Sequence, residues 1–272
     1  MARDKIHRNI SLKRLVLDFY QFFRCQRVVV RRFGKPFRRS TRAIEIDITY
    51  RCNLRCLNCN RSCTQCPSRL EMPLDTIVSF IDQSVAAGVA WRRIRLLGGE
   101  PTLHAQFFTI IDLLKAYRDA HSPQTRIVVC TNGSGRTVQR RLGRLPADVA
   151  VKNTYKRGGQ RLFRPFNRAP VDSRIFSGSD FSCGCRILED CGMGLTPMGY
   201  YPCAVAGGID RIFQFNTGRP QLPAPGDPMT DHLRRFCPYC GHFGFQWPTK
   251  QARMSPTWKN AYGSGGAAIP PG

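Results

Sequence analysis

Residues 43–59 read AIEIDITYRCNLRCLNC, an alternating run that ends in three cysteines at C-x3-C-x2-C spacing. AIEIDITY (43–50) alternates as a β-strand does. Working downstream, PLDTIVSFIDQSVAAG is expected to form a helix, with Pro73 in its first turn and Gly88 closing it. RIRLLGG reads as a second strand, AQFFTIIDLLKAYRDA as a second helix and RIVVCTNG as a third strand. A basic helical stretch over about 135–144 then precedes a fourth strand, ADVAVKNT (147–154). The β-α-β-α-β-α-β order predicts an α/β fold, a parallel sheet or barrel with helices outside. Such folds gather functional groups at the carboxyl ends of strands. The cysteines follow strand one, Gly98-Gly99-Glu100-Pro101 ends strand two, Thr131-Asn132-Gly133 ends strand three and Asn153 ends strand four.

The chain has 272 residues, 42% of them hydrophobic, enough for one large core with or without a small appendage. Thirteen cysteines are too few for a disulfide scaffold of this size, and an odd number cannot all pair. The apolar N-terminal stretch LKRLVLDFYQFF is interrupted by Lys13, Arg14 and Asp18, so it does not read as a secretory signal, and no run reaches the ~20 apolar residues of a membrane span. These features place the expectation in the reducing cytoplasm, where clustered cysteines read as metal ligands.

Thiolates select zinc, copper(I) or iron–sulfur clusters. Cys52, Cys56 and Cys59 can recruit Cys63 or Cys66 for a four-thiolate zinc site. CNRSCTQCP also echoes ferredoxin spacing, which raises a plain electron carrier. The third solution is a 4Fe–4S cluster on three thiolates with one iron left open to a ligand.

YRCNLRCLNC resembles the C-x3-C-x2-C signature of the radical S-adenosylmethionine (radical SAM) superfamily, and LLGGEPTLH (96–104) resembles that family's GGEP motif. The resemblance implies a partial (β/α) TIM-type barrel in which Cys52, Cys56 and Cys59 hold a 4Fe–4S cluster whose open iron chelates SAM. It implies that Gly98, Gly99, Glu100 and Pro101 receive the cofactor's ammonium group. Thr131 and Asn132 would contact its carboxylate or ribose, with Asn153 at the next strand end. It further implies reductive cleavage of SAM to a 5′-deoxyadenosyl radical that abstracts hydrogen. One departure is Asn58, where the family usually has an aromatic residue before the third cysteine.

CGMGLTPMGYYPC (191–203) reads as two short strands around Pro197-Met198-Gly199, and CPYC (237–240) adds a cysteine pair. This resembles the SPASM/Twitch extension of radical SAM enzymes and implies an auxiliary 4Fe–4S cluster on Cys191, Cys203, Cys237 and Cys240. Cys183 and Cys185 are the substitutes, and a four-cysteine zinc site is the alternative. Cys25 and Cys130 are expected to be small buried apolar residues, and the roles of Cys63 and Cys66 stay open. His104 either faces the site or starts a helix, and His242 is expected to pack within the cysteine module.

The formal charge is +24. Residues 1–43 hold thirteen Lys/Arg against two acids, and residues 134–180 hold eleven against three. Such a field attracts nucleic acid or an anionic membrane surface, or serves only solubility. Ser11 is placed to cap a helix with Leu12, Leu15, Val16, Phe19, Phe22 and Phe23 on one face. That stripe is expected to pack on its own domain, with attachment to a membrane surface as the other reading. The domains expected are a basic helix and linker (1–42), the partial barrel (43–180), the auxiliary module (181–245) and a disordered tail (246–272). Relatives with such extensions often modify ribosomally made peptides or oxidise alcohols and sugars. The function expected is therefore radical SAM hydrogen abstraction from a peptide or small biosynthetic substrate, with flavodoxin or ferredoxin as electron donor. The alternatives are radical SAM modification of a nucleic acid, suggested also by the aromatic and basic residues of YKRGGQRLFRPFNR (155–168), and a non-catalytic iron–sulfur carrier or zinc-organised binding protein.

Overall fold

The computed structural model describes residues 12–56, 58–154, 166–244 and 254–263. Ser11, the 155–165 part of the basic aromatic stretch, and the last nine residues of the tail lie outside them. The chain runs α1 (Leu12–Arg24), α2 (Arg27–Phe33), β1 (Ala43–Thr49), α3 (Leu74–Ala86), β2 (Arg93–Gly98), α4 (Phe107–His121), β3 (Arg126–Thr131), α5 (Arg136–Leu142) and β4 (Ala150–Asn153). It continues through α6 (Ile187–Asp190), β5 (Met193–Thr196), β6 (Gly199–Tyr201), α7 (Ala204–Phe213), α8 (Thr230–Phe236) and α9 (Pro256–Gly263).

The six strands form one open sheet in the order β4-β3-β2-β1-β5-β6, parallel except for the β5–β6 hairpin. The partial-barrel expectation therefore holds, and the sheet does not close. All seven residues of β1 are buried, because strands flank it on both sides and both faces are covered. Ile44, Ile46 and Ile48 pack with Ile77 and Phe80 of α3 and Ile110 and Leu114 of α4, the main apolar core. The alternate residues Glu45 and Asp47 face the inner side, where they meet buried Arg61. Burying carboxylates is tolerated when they are paired, and these are.

The hairpin of CGMGLTPMGYYPC forms as expected but extends the barrel sheet, pairing Ile44–Ile46 with Met193–Leu195. Gly192 makes this possible: its φ is +91°, and a Cβ there would stand 2.1 Å from the Ala43 carbonyl oxygen. The expectation of a disordered tail over 246–272 needs correction at its described residues, 254–263. α9 is a helix whose Trp258 is fully buried against Phe166 and Phe213, its indole N–H donating to the Tyr239 carbonyl at 2.7 Å. A buried tryptophan with its one donor satisfied is a strong local anchor.

Residues 1–42 were expected as a basic amphipathic helix and linker. The described part of them is built into the body. Arg39 is buried and donates to the carbonyls of Ala224, Pro225 and Asp227. Cys25 is fully buried beside Cys183 and Phe243.

Candidate active site

The cysteine loop leaves β1 at Tyr50, whose N–H donates to the Leu70 carbonyl at 3.0 Å. Three ties shape it. Arg61 drops under the sheet onto Asp47 at 2.8 Å and Glu45 at 3.2 Å, and Glu45 also holds Arg95 of β2 at 3.0 Å. Arg211 of α7 donates to the carbonyls of Arg61 (2.8 Å), Cys66 (3.0 Å) and Ser62 (3.3 Å), with its guanidinium 4.6 Å from the Tyr50 ring centre. Asn58 accepts the Phe166 N–H at 2.7 Å, so the residue that departs from the aromatic pattern ties the loop to the C-terminal core.

Cys52, Cys56 and Cys59 are brought together by this loop. Burial pushes the Cys52 thiol up, and Cys59, Cys56 and Glu100 add to the effect by repelling its thiolate. Cys52 Sγ accepts the Leu54 N–H at 3.5 Å, and the Asn132 amide lies 3.9 Å from it. Cys63 is buried and hydrogen-bonded to Cys59.

GGEP closes against the same loop. Gly99 donates to the Thr49 carbonyl at 2.7 Å and Glu100 N–H to that of Arg51 at 2.8 Å. A Cβ on Gly98 (φ +133°) or Gly99 would fall 2.1 or 2.2 Å from these carbonyl oxygens, so only glycine permits the approach. The Glu100 carboxylate is fully buried. Oε1 accepts from Thr102 Oγ1 (2.7 Å), Thr131 Oγ1 (2.8 Å) and Thr102 N–H (3.3 Å), and Oε2 accepts the Asn132 N–H (2.8 Å). Among the described residues no cationic side chain pairs with it. Its oxygens join GGEP to TNG and place a carboxylate at the strand ends. Pro101 and Thr102 are buried in the short turn that follows.

Asn132 accepts the Ser134 N–H through Oδ1 (2.8 Å) and donates to Asn53 (2.9 Å), while Asn53 donates to the Ser134 carbonyl at 2.6 Å. Asn153 lies against Gly133, whose Cβ would be 2.3 Å from its amide. Thr131, Asn132 and Asn153 are therefore one packed ridge beside Cys52. His104 takes the helix-start role: Nδ1 accepts the Gln106 N–H and Nε2 meets the Met72 carbonyl, both at 3.0 Å. Cys130 is not in apolar surroundings. It shares the inner face with Glu45, Lys152, Arg95 and Arg61, and burial pushes its thiol up to about 11.

The second cysteine group assembles with one exchange. Desolvation pushes the half-buried Cys203 and Cys237 thiols up, and each is raised further by Cys185 and Cys240. Cys185, Cys203, Cys237 and Cys240 line one apolar cavity with Phe236 and Phe243. Cys191 is not there. It sits at the start of β5, hydrogen-bonded to Glu45 near Arg95 and Arg61, because the Gly192 contact locks that end of the strand beside Ala43. Cys183 is hydrogen-bonded to Cys25 at the edge of the thiol group. His242 packs on Phe166, ring centres 5.7 Å apart.

Two donor sets thus fit thiolate-seeking iron: three cysteines beside a charged, glycine-lined strand end, and four in an apolar cavity. Among the described residues no three such groups already stand in metal-ligand geometry, so the thiols would have to close on their ion. Sequence reading missed Arg61, Arg211 and Asn53. The signal for Arg61 was present, since two carboxylates within a strand otherwise built for burial call for a buried cation.

Residues 46–148 match the family model of the Radical SAM superfamily. Similar curated proteins include a probable GTP 3′,8-cyclase of Methanosarcina mazei, 30% identical over 98 residues, which are 35% of this chain and 29% of that one. The GTP 3′,8-cyclase of Listeria welshimeri is 37% identical over 70 residues (25% and 20%), and that of Acidothermus cellulolyticus 32% over 107 residues (37% and 27%). The match spans less than a third of the length of these relatives, 29%, 20% and 27%. Among solved structures, BtrN in complex with AdoMet and 2-DOIA aligns at 14% identity and a TM-score of 0.42, over 77% of this chain and 96% of that one.

Proposed function

We propose that the protein, whose residues 46–148 match the Radical SAM family model, reductively cleaves SAM and abstracts hydrogen from a peptide or small biosynthetic substrate. The observation that carries this is the meeting of Cys52, Cys56 and Cys59 with the Glu100–Thr131–Asn132 ridge at the carboxyl ends of three adjacent parallel strands. The three thiolates would hold a 4Fe–4S cluster whose open iron takes SAM. When bound, these groups would supply one-electron reductive cleavage of a sulfonium C–S bond and, from it, hydrogen abstraction.

The chain's own residues bind and orient. Gly98 and Gly99 let GGEP close on the strand that leads to the cysteines, and the buried Glu100 carboxylate favours an ammonium group nearby. Asn132 and Asn53 fix the loop edge beside Cys52. The inner face, with Arg95, Cys130 and Lys152 partly open, suits a polar substrate. Cys185, Cys203, Cys237 and Cys240 would hold an auxiliary 4Fe–4S cluster, zinc being the other metal their chemistry fits. An electron donor of the flavodoxin or ferredoxin type and a cytoplasmic setting complete the reading. The net charge of +24 favours nucleic acid as the second substrate class.

Anaerobic reconstitution with iron and sulfide, followed by SAM and dithionite, tests the proposal. 5′-Deoxyadenosine should form with the wild-type chain and not with the C52A/C56A/C59A variant. Equal formation by that variant would sink it. Turnover that rises only on adding RNA would move the substrate to the nucleic-acid class.

A further inference from the structure

The N-terminal helix is docked the opposite way round from the sequence expectation. At about 100° per residue, Leu12, Val16, Phe19, Tyr20 and Phe23 fall within one arc about 100° wide. All five are exposed, at 78%, 60%, 61%, 55% and 53%. The opposite arc faces the body and is largely polar. Asp18 pairs with Arg186 at 3.3 Å, and Gln21 donates to the His242 carbonyl at 3.0 Å while accepting the Arg186 N–H at 3.1 Å. Phe22 turns inward, edge-on to Phe176 at 5.4 Å, and Leu15 is half-buried. An apolar arc turned to solvent and a polar arc turned to protein is the reverse of ordinary helix packing.

Charge surrounds the exposed arc. Lys13 flanks it, and α2 follows with exposed Arg27, Arg31 and Arg32, beside exposed Val28 and Phe33. Lys35, Arg38 and Arg42 continue the exposed cations. The one acid of residues 12–42, Asp18, is buried in its ion pair. Residues 12–42 therefore offer apolar side chains among cations with no exposed carboxylate of their own.

We propose that α1 and α2 seat the protein on an anionic membrane surface, the apolar arc entering the headgroup boundary and the cations meeting lipid phosphates. A helix of this kind gains from both apolar burial and electrostatic attraction. Nucleic acid would use the cations and leave the apolar arc in water. A second copy would bring one +24 chain against another, with the cations facing each other. Only the lipid surface is complementary to both features. The inference is independent of the SAM chemistry and goes beyond it.

The full chain is the material to test, because deleting residues 1–42 would also remove buried Cys25, Gln21 and Arg39. Flotation with vesicles of phosphatidylglycerol and phosphatidylcholine should carry the protein upward. Phosphatidylcholine alone should not, and added salt should weaken the binding. The variant V16S/Y20S/F23S changes exposed side chains only, so its thermal unfolding should match the wild type while vesicle affinity falls at least about tenfold. R31Q/R32Q should bind more weakly and with less salt dependence. Phe23→Trp should show a blue-shifted emission increment over wild type when anionic vesicles are added. No binding of the wild type to phosphatidylglycerol overturns the proposal. Undiminished binding by V16S/Y20S/F23S overturns it too. So does a wild-type dimer that this variant dissolves while vesicle affinity stays unchanged, which would assign the arc to a second copy.

Discussion

Replacing Glu100 separates a residue that only touches a ligand from one that holds the site together. Its two oxygens take four hydrogen bonds from Thr102, Thr131 and Asn132 in a position closed to water. In Glu100→Gln the remaining carbonyl oxygen can still serve Thr102 and Thr131, but the new amide faces the Asn132 N–H, donor against donor. One charge-assisted bond is lost and one buried N–H is orphaned, which should cost about 2 kcal/mol. In Glu100→Ala the two hydroxyls and two N–H groups lose their shared acceptor together, and about 3–5 kcal/mol is expected, a large fraction of a domain's total stability. Urea unfolding of the metal-free chain measures this as a fall in midpoint at constant slope, with no cofactor present to confuse the two roles. If both variants unfold within about 0.5 kcal/mol of wild type while SAM cleavage is lost, the buttress reasoning is refuted and Glu100 acts only on the ligand.

The remaining predictions concern the buried ions, the thiols and the tail. Asp47 titrates near 6 in the folded chain because burial outweighs its Arg61 partner. As pH rises from about 4 the unfolded chain sheds that proton first, so this group lowers stability up to about 6 and is flat above. Arg61→Met should therefore cost about 3–5 kcal/mol at pH 7.5, by leaving buried carboxylates without their partner, and less at pH 5, where Asp47 regains its proton; equal losses at both pH values would contradict this. After reconstitution, iron content should fall by about half in Cys185→Ser, from about eight atoms for two cubanes, and stay level in Cys191→Ser. The reverse order would restore Cys191 to the auxiliary set. Trp258→Ala should destabilise by about 3–5 kcal/mol in thermal or urea unfolding, whereas a tail with no fixed contacts would show no change.

Strands β1 to β4 and helices α3 to α5 were legible within a few residues because each carries its own period. AIEIDITY, RIRLLGG and RIVVCTNG alternate or run apolar between helices with spaced apolar faces. Cys52, Cys56, Cys59, Gly98, Gly99, Glu100, Thr131 and Asn132 were legible because they follow those strands directly. What the local pattern could not carry was pairing at a distance. Nothing in CGMGLTPMGYYPC states that Met193–Leu195 will lie beside Ile44–Ile46, and that one contact removes Cys191 from the thiol group. The stripe of α1 was read with Leu15 and Phe22, which are half-buried, and without Tyr20, which is exposed. Its direction depended on Arg186 and His242, which sit far along the chain and draw Asp18 and Gln21 inward. Trp258 was overlooked because it lies in a short segment bordered by glycine- and proline-rich sequence, where composition suggested no core.

The placement of β5 next to β1 also bears on how the chain is made. The strand that ends in the cysteine loop finds one neighbour, β2, about 50 residues later, but its other neighbour only after about 150, which at ordinary synthesis speeds is a wait of roughly ten to thirty seconds. Through that interval the nascent sheet has a raw edge at Ile44–Ile46, with hydrogen-bonding groups and isoleucines open to any other extended chain. Glu45 and Asp47 put charge on that same strand, and charge on an open edge disfavours pairing with another chain.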